Sequence, residues 1–553
     1  MTRFVLLLLV VSGCATTTPA ARREAAAKQL LEVLGRADPE SITLLGLGGF
    51  EGDARDYARP VETDVKALED AADTFAEALR TERDRETRID LQILETTARR
   101  IADRARVSDR LVAEVPNLSR TVYEGLQPGL SPGASESMKA GALARLKRYA
   151  GPAFIDVAIA QTRRELASDR VQPWRGQIES RIKVSRALDA EAVKLVTELN
   201  LPETVELAAQ LTRWELFLEN EVLPKARDDF RPPPEIYAHE LKEQGIDLAP
   251  DVMAAEAHAA FDRTFEAWSA LAKQLGSTDP AALLAKLKQR RLTGDALLAR
   301  LKESNGEIEA IVRREKLLTL PERAMAVRFM DASEAARSPV PTIDVAGFVQ
   351  GQKEIALLVP PEPAAGAPAV LDDFNFEAAA LPLCSHEGRP GHELQFTHAA
   401  ERGLSVTRTL FAFNTVNIEG WALYAERLVR PHLSAEARFV SLQYLLIRQA
   451  RAFLEPELVL GKIDESKVRE VLGLQLGASA ALVESELRRY QFESRGQAPA
   501  YFVGLQKLER LRADVEAKLG EKFDAQRFHD AVLDQGFVPL SLLADGVLAD
   551  LAR

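Results

Sequence analysis

Residues 384–395 read Cys384-Ser385-His386-Glu387-Gly388-Arg389-Pro390-Gly391-His392-Glu393-Leu394-Gln395, and how the helix carries these residues decides what kind of fold this is. The chain holds seven histidines, and three of them (His386, His392 and His398) cluster here. A His-Glu pair alone says little, since His239-Glu240 is another. A His-Glu followed closely by a further histidine is the donor set of hydrolytic zinc, with two imidazoles on the metal and a carboxylate beside the reacting water. The usual spacing places the two histidines four apart on one helix face. Four residues after His386 stands Pro390, which cannot bind a metal. Six residues turn a regular helix by about 600°, leaving the side chains roughly 120° apart and unable to share an ion. Pro390 removes a backbone donor and Gly391 permits unusual dihedrals. The spacing therefore predicts a two-residue bulge that returns His392 to the face of His386. His398 lies six residues beyond His392 and is an alternative partner for it, but no comparable break separates those two.

A third ligand is expected downstream, in Asn414-Thr415-Val416-Asn417-Ile418-Glu419-Gly420-Trp421-Ala422-Leu423-Tyr424-Ala425-Glu426. Glu419 falls on a separate helix, and two histidines with a glutamate make a catalytic zinc set that leaves one position open. Glu426, seven residues on, shares the face of Glu419 and is placed to orient a ligand from behind. A lone glutamate on a helix is ordinarily a solvated charge. The upstream histidines and the Gly420-Trp421 pair set this one apart.

Outward from these motifs the chain reads as helix. Ala, Leu, Glu, Arg and Lys dominate, and these are strong helix formers. Leu188, Ala192, Leu195, Val196 and Leu199 recur at helical spacing, as do Leu508, Leu511, Val515 and Leu519, after which Gly520 supplies a stop. Period-two alternation is scarce, so the expected class is mainly α. Arg231-Pro232-Pro233-Pro234 interrupts the helical pattern, and a second irregular region runs from Ser338 to about Ala369. These breaks divide the chain into 1–13, 14–231, 232–340 and 341–553, with the metal-binding motifs in the last region. Within the second break, Glu354-Ile355-Ala356-Leu357-Leu358-Val359 is expected to form a small sheet edge near the site. An edge strand there could pair with an extended peptide; the alternative is a buried connector. Residues 361–368 are rich in Ala and Pro and read as a surface loop.

The first residues, MTRFVLLLLVVSGC, carry Arg3, an apolar run too short to span a bilayer, and small residues leading to Cys14. Residues 1–13 are read as a secretory signal, and Val11-Ser12-Gly13-Cys14 as a lipidation site at Cys14. No aspartate follows Cys14, which points to a lipid-anchored protein of the cell envelope, on the outer membrane facing the periplasm. Of 553 residues, 71 are Lys or Arg and 83 Asp or Glu, and the net charge of −12 argues against nucleic-acid binding. With only two cysteines there is no disulfide framework, and Cys384 is expected to be a buried, inert thiol. Oligomeric state is not legible.

His386-Glu387-x-x-Pro390-Gly391-His392 followed by Glu419-Gly420-Trp421-x-x-Tyr424-x-Glu426 resembles a bacterial domain-of-unknown-function family rich in predicted lipoproteins. That family is grouped with the zincin-like metallopeptidases, near the helical oligopeptidases and carboxypeptidase Taq. Arg489-Tyr490, Gly496-Gln497-Ala498, Tyr501, Gly504, Phe528-His529-Asp530 and Gly536-Phe537-Val538-Pro539-Leu540 are similar to its later motifs, so the likeness covers about 380–545. One departure is Glu393, where the family often has a second histidine. The resemblance implies an elongated helical body with a deep cleft. It implies His386, His392 and Glu419 as ligands of one Zn2+ per chain and Glu387 as general base. The expected activity is hydrolysis of short peptides outside the cytoplasm. Tyr490, Tyr501 and His529 are candidate donors to the oxyanion, with core packing as the alternative for each. Arg489 is either a grip on a substrate carboxylate or a surface salt bridge. His239, His258 and His432 are expected to be surface or packing residues. Competing functions are a metal amidase acting on cell-wall peptides, and a non-catalytic lipid-anchored binding protein with a vestigial zinc site.

Overall fold

The structure is a computed structural model that describes residues 18–331, 335, 340–345, 355–361 and 372–551. The expected signal segment with Cys14, and most of the Ala- and Pro-rich loop, lie outside the described residues. The remainder is mainly helical with one small sheet.

In the N-terminal half, Val61–Thr81 and Arg85–Leu111 pack as a hairpin. Asp84 starts the second helix by accepting from the Thr87 backbone N–H at 2.9 Å, satisfying one of the orphan donors of a helix start. Val65, Leu68, Ala72 and Phe75 pack on Leu91, Leu94 and Ala98 across the pair. In the helix Arg175–Glu198 the buried stripe differs from the expected one. It runs through Ile178, Ile182, Ser185, Asp189, Ala192 and Val196, while Leu199 lies past the helix end and is exposed. Asp189 holds this core position with one oxygen accepting from Ser119 Oγ at 3.1 Å, and burial raises its carboxyl to about 7, so a polar group can take a place that periodicity reserves for leucine.

The chain leaves the helical path between Lys225 and Pro234, at the proline run. Beyond it, Pro250–Gln274 lies along Ala435–Val459, and Ala257, Phe261 and Trp268 pack with Phe439, Ile447 and Phe453 in a shared core. A second core holds the parts that build the site. Val327, Leu357 and Val359 of the sheet meet Leu381, Leu383 and Cys384, and the same cluster continues through Trp421, Tyr424, Leu505 and Leu508. Burial pushes the Cys384 thiol up to about 12, so it is the inert core thiol expected.

The sheet has the order β1-β3-β2, with β1 Ala326–Phe329, β2 Thr342–Ile343 and β3 Ala356–Val359. β1 runs parallel to β3 and β2 antiparallel. The expected edge strand is therefore the central one. All four residues of β3 are buried and both its sides are paired, so it offers no free ladder to a peptide. Its continuous apolar run is the signature of a strand covered on both faces. Among the described residues no helix is long and apolar enough to cross a membrane.

Candidate metal centre

The two histidines stand on different helices. Ala380–Glu387 ends directly after His386, and His392 opens the next helix, His392–Arg402. The expected bulge within one helix is thus a full break, and the 120° mismatch is removed because the second helix starts with a new phase. Gly391 makes the break possible by its size. A Cβ at this position would lie 1.9 Å from the carbonyl oxygen of His386, so only glycine lets the new helix start against the last turn of the old one. The Arg389–Pro390 peptide is cis.

Two side chains tie the break down. Arg389 is wholly buried and grips Glu393 through Nε (2.6 Å) and Nη2 (3.1 Å), while Nη1 donates to Glu309 (2.9 Å) and to the Arg323 carbonyl (2.7 Å). The Trp421 indole N–H donates to the Pro390 carbonyl at 3.0 Å, joining the Glu419 helix to the same turn. Glu393, the departure from the resembled family, is the counter-ion of Arg389 and also accepts from Thr397 Oγ1 at 2.9 Å.

Glu419 reaches the histidines from Thr415–Val429, a helix started by Asn414, whose side chain accepts from the Asn417 N–H at 2.9 Å. This helix crosses Ala500–Leu519 with backbone against backbone. A Cβ on Gly504 would come 2.1 Å from the Val416 carbonyl oxygen, and one on Gly420 2.6 Å from the carbonyl carbon of Gly504. The crossing brings Tyr501 up to His386, which Glu419 also faces. The two imidazole rings lie 4.8 Å apart at 81°, and the Tyr501 ring stacks 6.4 Å from His386.

The ligand-type atoms of His386, His392 and Glu419 all lie within 4.8 Å of one another. Glu419 Oε2 is 3.3 Å from His392 Nε2 and 3.5 Å from His386 Nε2. Two atoms each about 2.05 Å from a tetrahedral zinc stand roughly 3.3 Å apart, so these separations fit edges of such a coordination shell. Glu419 Oε2 is buried and makes no hydrogen bond among the described residues, which is the condition of an oxygen shaped for a cation. His386 Nδ1 meets Glu426 Oε1 at 2.8 Å, leaving Nε2 turned towards Glu419. Glu387 Oε1 lies 3.8 Å from His386 Nε2, at the edge of the cluster.

The charges of the cluster are strongly coupled. Burial works against the His386 imidazolium, but Glu419 and Glu426 outweigh it and raise its pKa to about 9. Burial also opposes ionised Glu419, yet the two histidines hold its carboxyl well below the usual range. Glu387 is the exception: burial raises it above the ordinary carboxylate range against the pull of His386 and His392. The Tyr501 phenol is pushed up to about 12, by burial first and by Glu419 second, and so keeps its proton.

The other candidates lie elsewhere. Tyr490 donates to Glu486 Oε2 at 2.9 Å, and Glu486 also takes both forks of Arg451 (2.7 and 2.8 Å) and Nη1 of Arg489 (2.7 Å). Tyr490 is thus committed to a buried ion cluster, and Arg489 is neither a free grip nor a surface bridge. The Arg451 guanidinium lies 4.7 Å from the Tyr501 ring centre, so this cluster supports the back of Tyr501. His529 is a core histidine: Nδ1 bonds the Leu317 carbonyl at 2.6 Å and Nε2 the Tyr424 hydroxyl at 2.9 Å. His398 pairs with Asp534 at 2.7 Å, His258 with Glu457 at 2.8 Å and His432 with Glu315 at 3.5 Å, away from the cluster. Sequence reasoning missed Arg448, which stands 3.8 Å from Glu426 and pulls the Glu426 and Glu387 carboxyls down. Its signal was in the residue types, since Arg448 and Arg451 fall within the largely apolar run Tyr444-Leu445-Leu446-Ile447 to Ala452-Phe453-Leu454, and the structure buries both.

A profile of bacterial proteins of unknown function, DUF885, matches residues 39–547. The chain belongs to that family. No curated protein matches it. Among the solved structures that share its fold are two from bacteria. One is a predicted lipoprotein from Colwellia psychrerythraea, at 18% identity and a TM-score of 0.76. The other is a predicted lipoprotein of unknown function from Shewanella oneidensis, at 18% identity and a TM-score of 0.79. Each match covers 96% of this chain and 100% of the other. The fold is thus shared along almost the whole chain, including the helical half in which the sequence shows no motif.

Proposed function

We propose that this DUF885 chain is a zinc-dependent peptidase of the zincin type, acting on short peptides outside the cytoplasm. The observation that carries the reading is the convergence of two imidazole nitrogens on the buried Oε2 of Glu419, which makes no hydrogen bond among the described residues, with Glu387 at the edge. Two histidines and one carboxylate suit zinc, and among the described residues the cluster has no fourth side-chain ligand. A catalytic site keeps such a position open, whereas a structural zinc site closes it. Zinc bound there supplies a Lewis acid and acidifies water.

The remaining roles belong to the protein. Glu426 holds Nδ1 of His386, which fixes the ring and presents Nε2. Glu387, whose carboxyl burial raises above the ordinary range, takes a proton from the attacking water and returns it to the leaving amine. Tyr501, protonated and beside His386, donates a hydrogen bond to the oxyanion that develops at the scissile carbonyl. The Cys14 motif, and the predicted-lipoprotein status of both structural neighbours, support a lipid-anchored envelope protein.

The test is metal content and hydrolysis of a peptide library, measured together on the chain from Ala15 and on His392→Ala and Glu387→Gln. One zinc per chain, lost in the histidine variant, with turnover lost in both, is the expected result. Hydrolysis retained in Glu387→Gln refutes the base. A folded, zinc-supplied chain that binds no zinc refutes the centre.

A further inference from the structure

Away from the metal cluster lies a cavity of about 390 Å³, lined by residues near 112–117, 171–178 and 227–232, with Arg495 among them. Non-helical segments at 112–117, 171–174 and 227–232 form part of its wall, beside helical residues such as Arg104, Gln177 and Arg181, and these segments are pinned to one another. Ala113 N–H donates to the Val171 carbonyl (3.0 Å) and Val171 N–H to that of Leu111 (2.9 Å). Arg227 N–H donates to the Pro173 carbonyl (3.0 Å) and Arg175 N–H to that of Arg227 (2.8 Å). Backbone ladders of this kind hold a cavity in shape without a ligand.

The charge on the walls is one-sided. Arg55, Arg104, Arg181, Arg227 and Arg495 line the cavity, against Glu114 as the one carboxylate among its lining residues. This concentration of positive charge stands in a chain of net charge −12. Three of the arginines are paired with acids that do not line the cavity: Arg55 with Asp38 (3.5 Å), Arg104 with Glu243 (3.2 Å) and Arg495 with Glu240 (2.8 and 2.9 Å). Arg181 and Arg227 make no ion pair among the described residues. Each is instead steadied by a backbone carbonyl, Arg181 by that of Val115 and Arg227 by that of Gln172 (2.9 Å), which leaves the rest of each fork free. Burial lowers the pKa of both, the mark of a cation kept from water without full compensation. Trp174 adds a flat apolar wall. Its ring is wedged edge-on against Phe230 at 6.0 Å and tilted against Phe492 at 5.3 Å.

We propose that this cavity is a binding site for a small organic oxyanion, with its carboxylate or phosphate held by Arg181 and Arg227 and its body against Trp174. The planar fork of arginine suits both anions, and the volume lies in the range of small-ligand sites. No residue of the metal cluster lines the cavity, so the assignment does not rest on the peptidase reading.

The experiment is isothermal titration of the detergent-solubilised full chain with inorganic phosphate and, separately, with succinate at low ionic strength. Saturable binding of at least one anion is expected, weakened about tenfold or more in Arg181→Gln and in Arg227→Gln and unchanged in His392→Ala. Binding of phosphate alone assigns a phosphate-bearing ligand, and binding of succinate alone a carboxylate-bearing one. Arg181→Lys, which keeps the charge but loses the fork, guards against a variant that fails to fold and is expected to bind more weakly than the native chain. No saturable heat from either anion up to about 10 mM overturns the proposal, as does binding that survives in both glutamine variants.

Discussion

Replacing Arg389 by methionine tests whether the break between the two histidines is held by one buried ion pair. Arg389 and Glu393 are both fully buried. The arginine makes two hydrogen bonds to Glu393, one to Glu309 and one to the Arg323 carbonyl. Methionine fills most of the stem but leaves Glu393 with Thr397 and a distant Arg323, 3.8 Å away. Removing one partner of a buried pair costs about 3–5 kcal/mol, because the remaining charge stays out of water. Converting Glu393 as well removes that stranded charge. The double variant still deprives Glu309 and the Arg323 carbonyl of a donor, at about 1–3 kcal/mol for a buried acceptor. Arg389→Met/Glu393→Met should therefore recover a large part of the loss in Arg389→Met. The assay is urea unfolding followed by tryptophan fluorescence, to which Trp421 contributes through its bond to the Pro390 carbonyl. A loss under about 1 kcal/mol in the single variant, or a double variant no better than the single, refutes the reasoning.

Three further outcomes follow from the same geometry. Glu426→Gln keeps the shape behind His386 but removes the charge, and zinc affinity should fall about 10–100-fold by competition with a chromogenic chelator; unchanged affinity shows that Glu426 does not hold the ligand. Gly504→Ala puts a methyl 2.1 Å from the Val416 carbonyl oxygen, where neither backbone can yield, and should cost about 1–3 kcal/mol in thermal or urea unfolding and displace Glu419. A Gly504→Ala chain of native stability with full zinc content disproves the close crossing. His529 has its pKa lowered by burial from 6.5 to about 4, so the folded state binds its proton less readily than the unfolded chain. Its contribution is present above about pH 6.5 and is lost as pH falls through 4, at about 1.4 kcal/mol per pH unit. His529→Gln should flatten that part of the acid limb, and an acid limb of unchanged slope argues against a neutral buried imidazole.

Reading the chain alone brings out what local chemistry controls. The helical class follows from side chains that favour the helix and from apolar spacing close to 3.6. Breaks at Arg231–Pro234 and Pro390-Gly391 follow from proline and glycine, and the stop at Gly520 from its backbone, which takes φ +54. Residue type also limits which groups can act as metal donors, and His386, His392 and Glu419 were named on that ground. The buried stripe of Arg175–Glu198 shows the limit of periodicity: Asp189 holds a core position, with Ser119, 70 residues away in the chain, donating to one of its oxygens.

What the tertiary structure alone decided is contact between residues distant in the chain. Pro390 and Gly391 announced an interruption, but bulge or full break was settled by Arg389, Glu393, Glu309 and Trp421 closing around the turn. Tyr490 and Tyr501 look alike in sequence, yet one is bound to Glu486 and the other stacks beside His386. β3 reads as an edge until β1 and β2 are seen on either side of it. That Arg181 and Arg227 make no ion pair among the described residues is equally invisible in the chain, where acids abound. Propensity and patterning act over one or two turns, whereas a charge or donor finds its partner only when packing brings remote segments together. Residue type and helical phase were therefore legible from the sequence, and the wiring of the site was not.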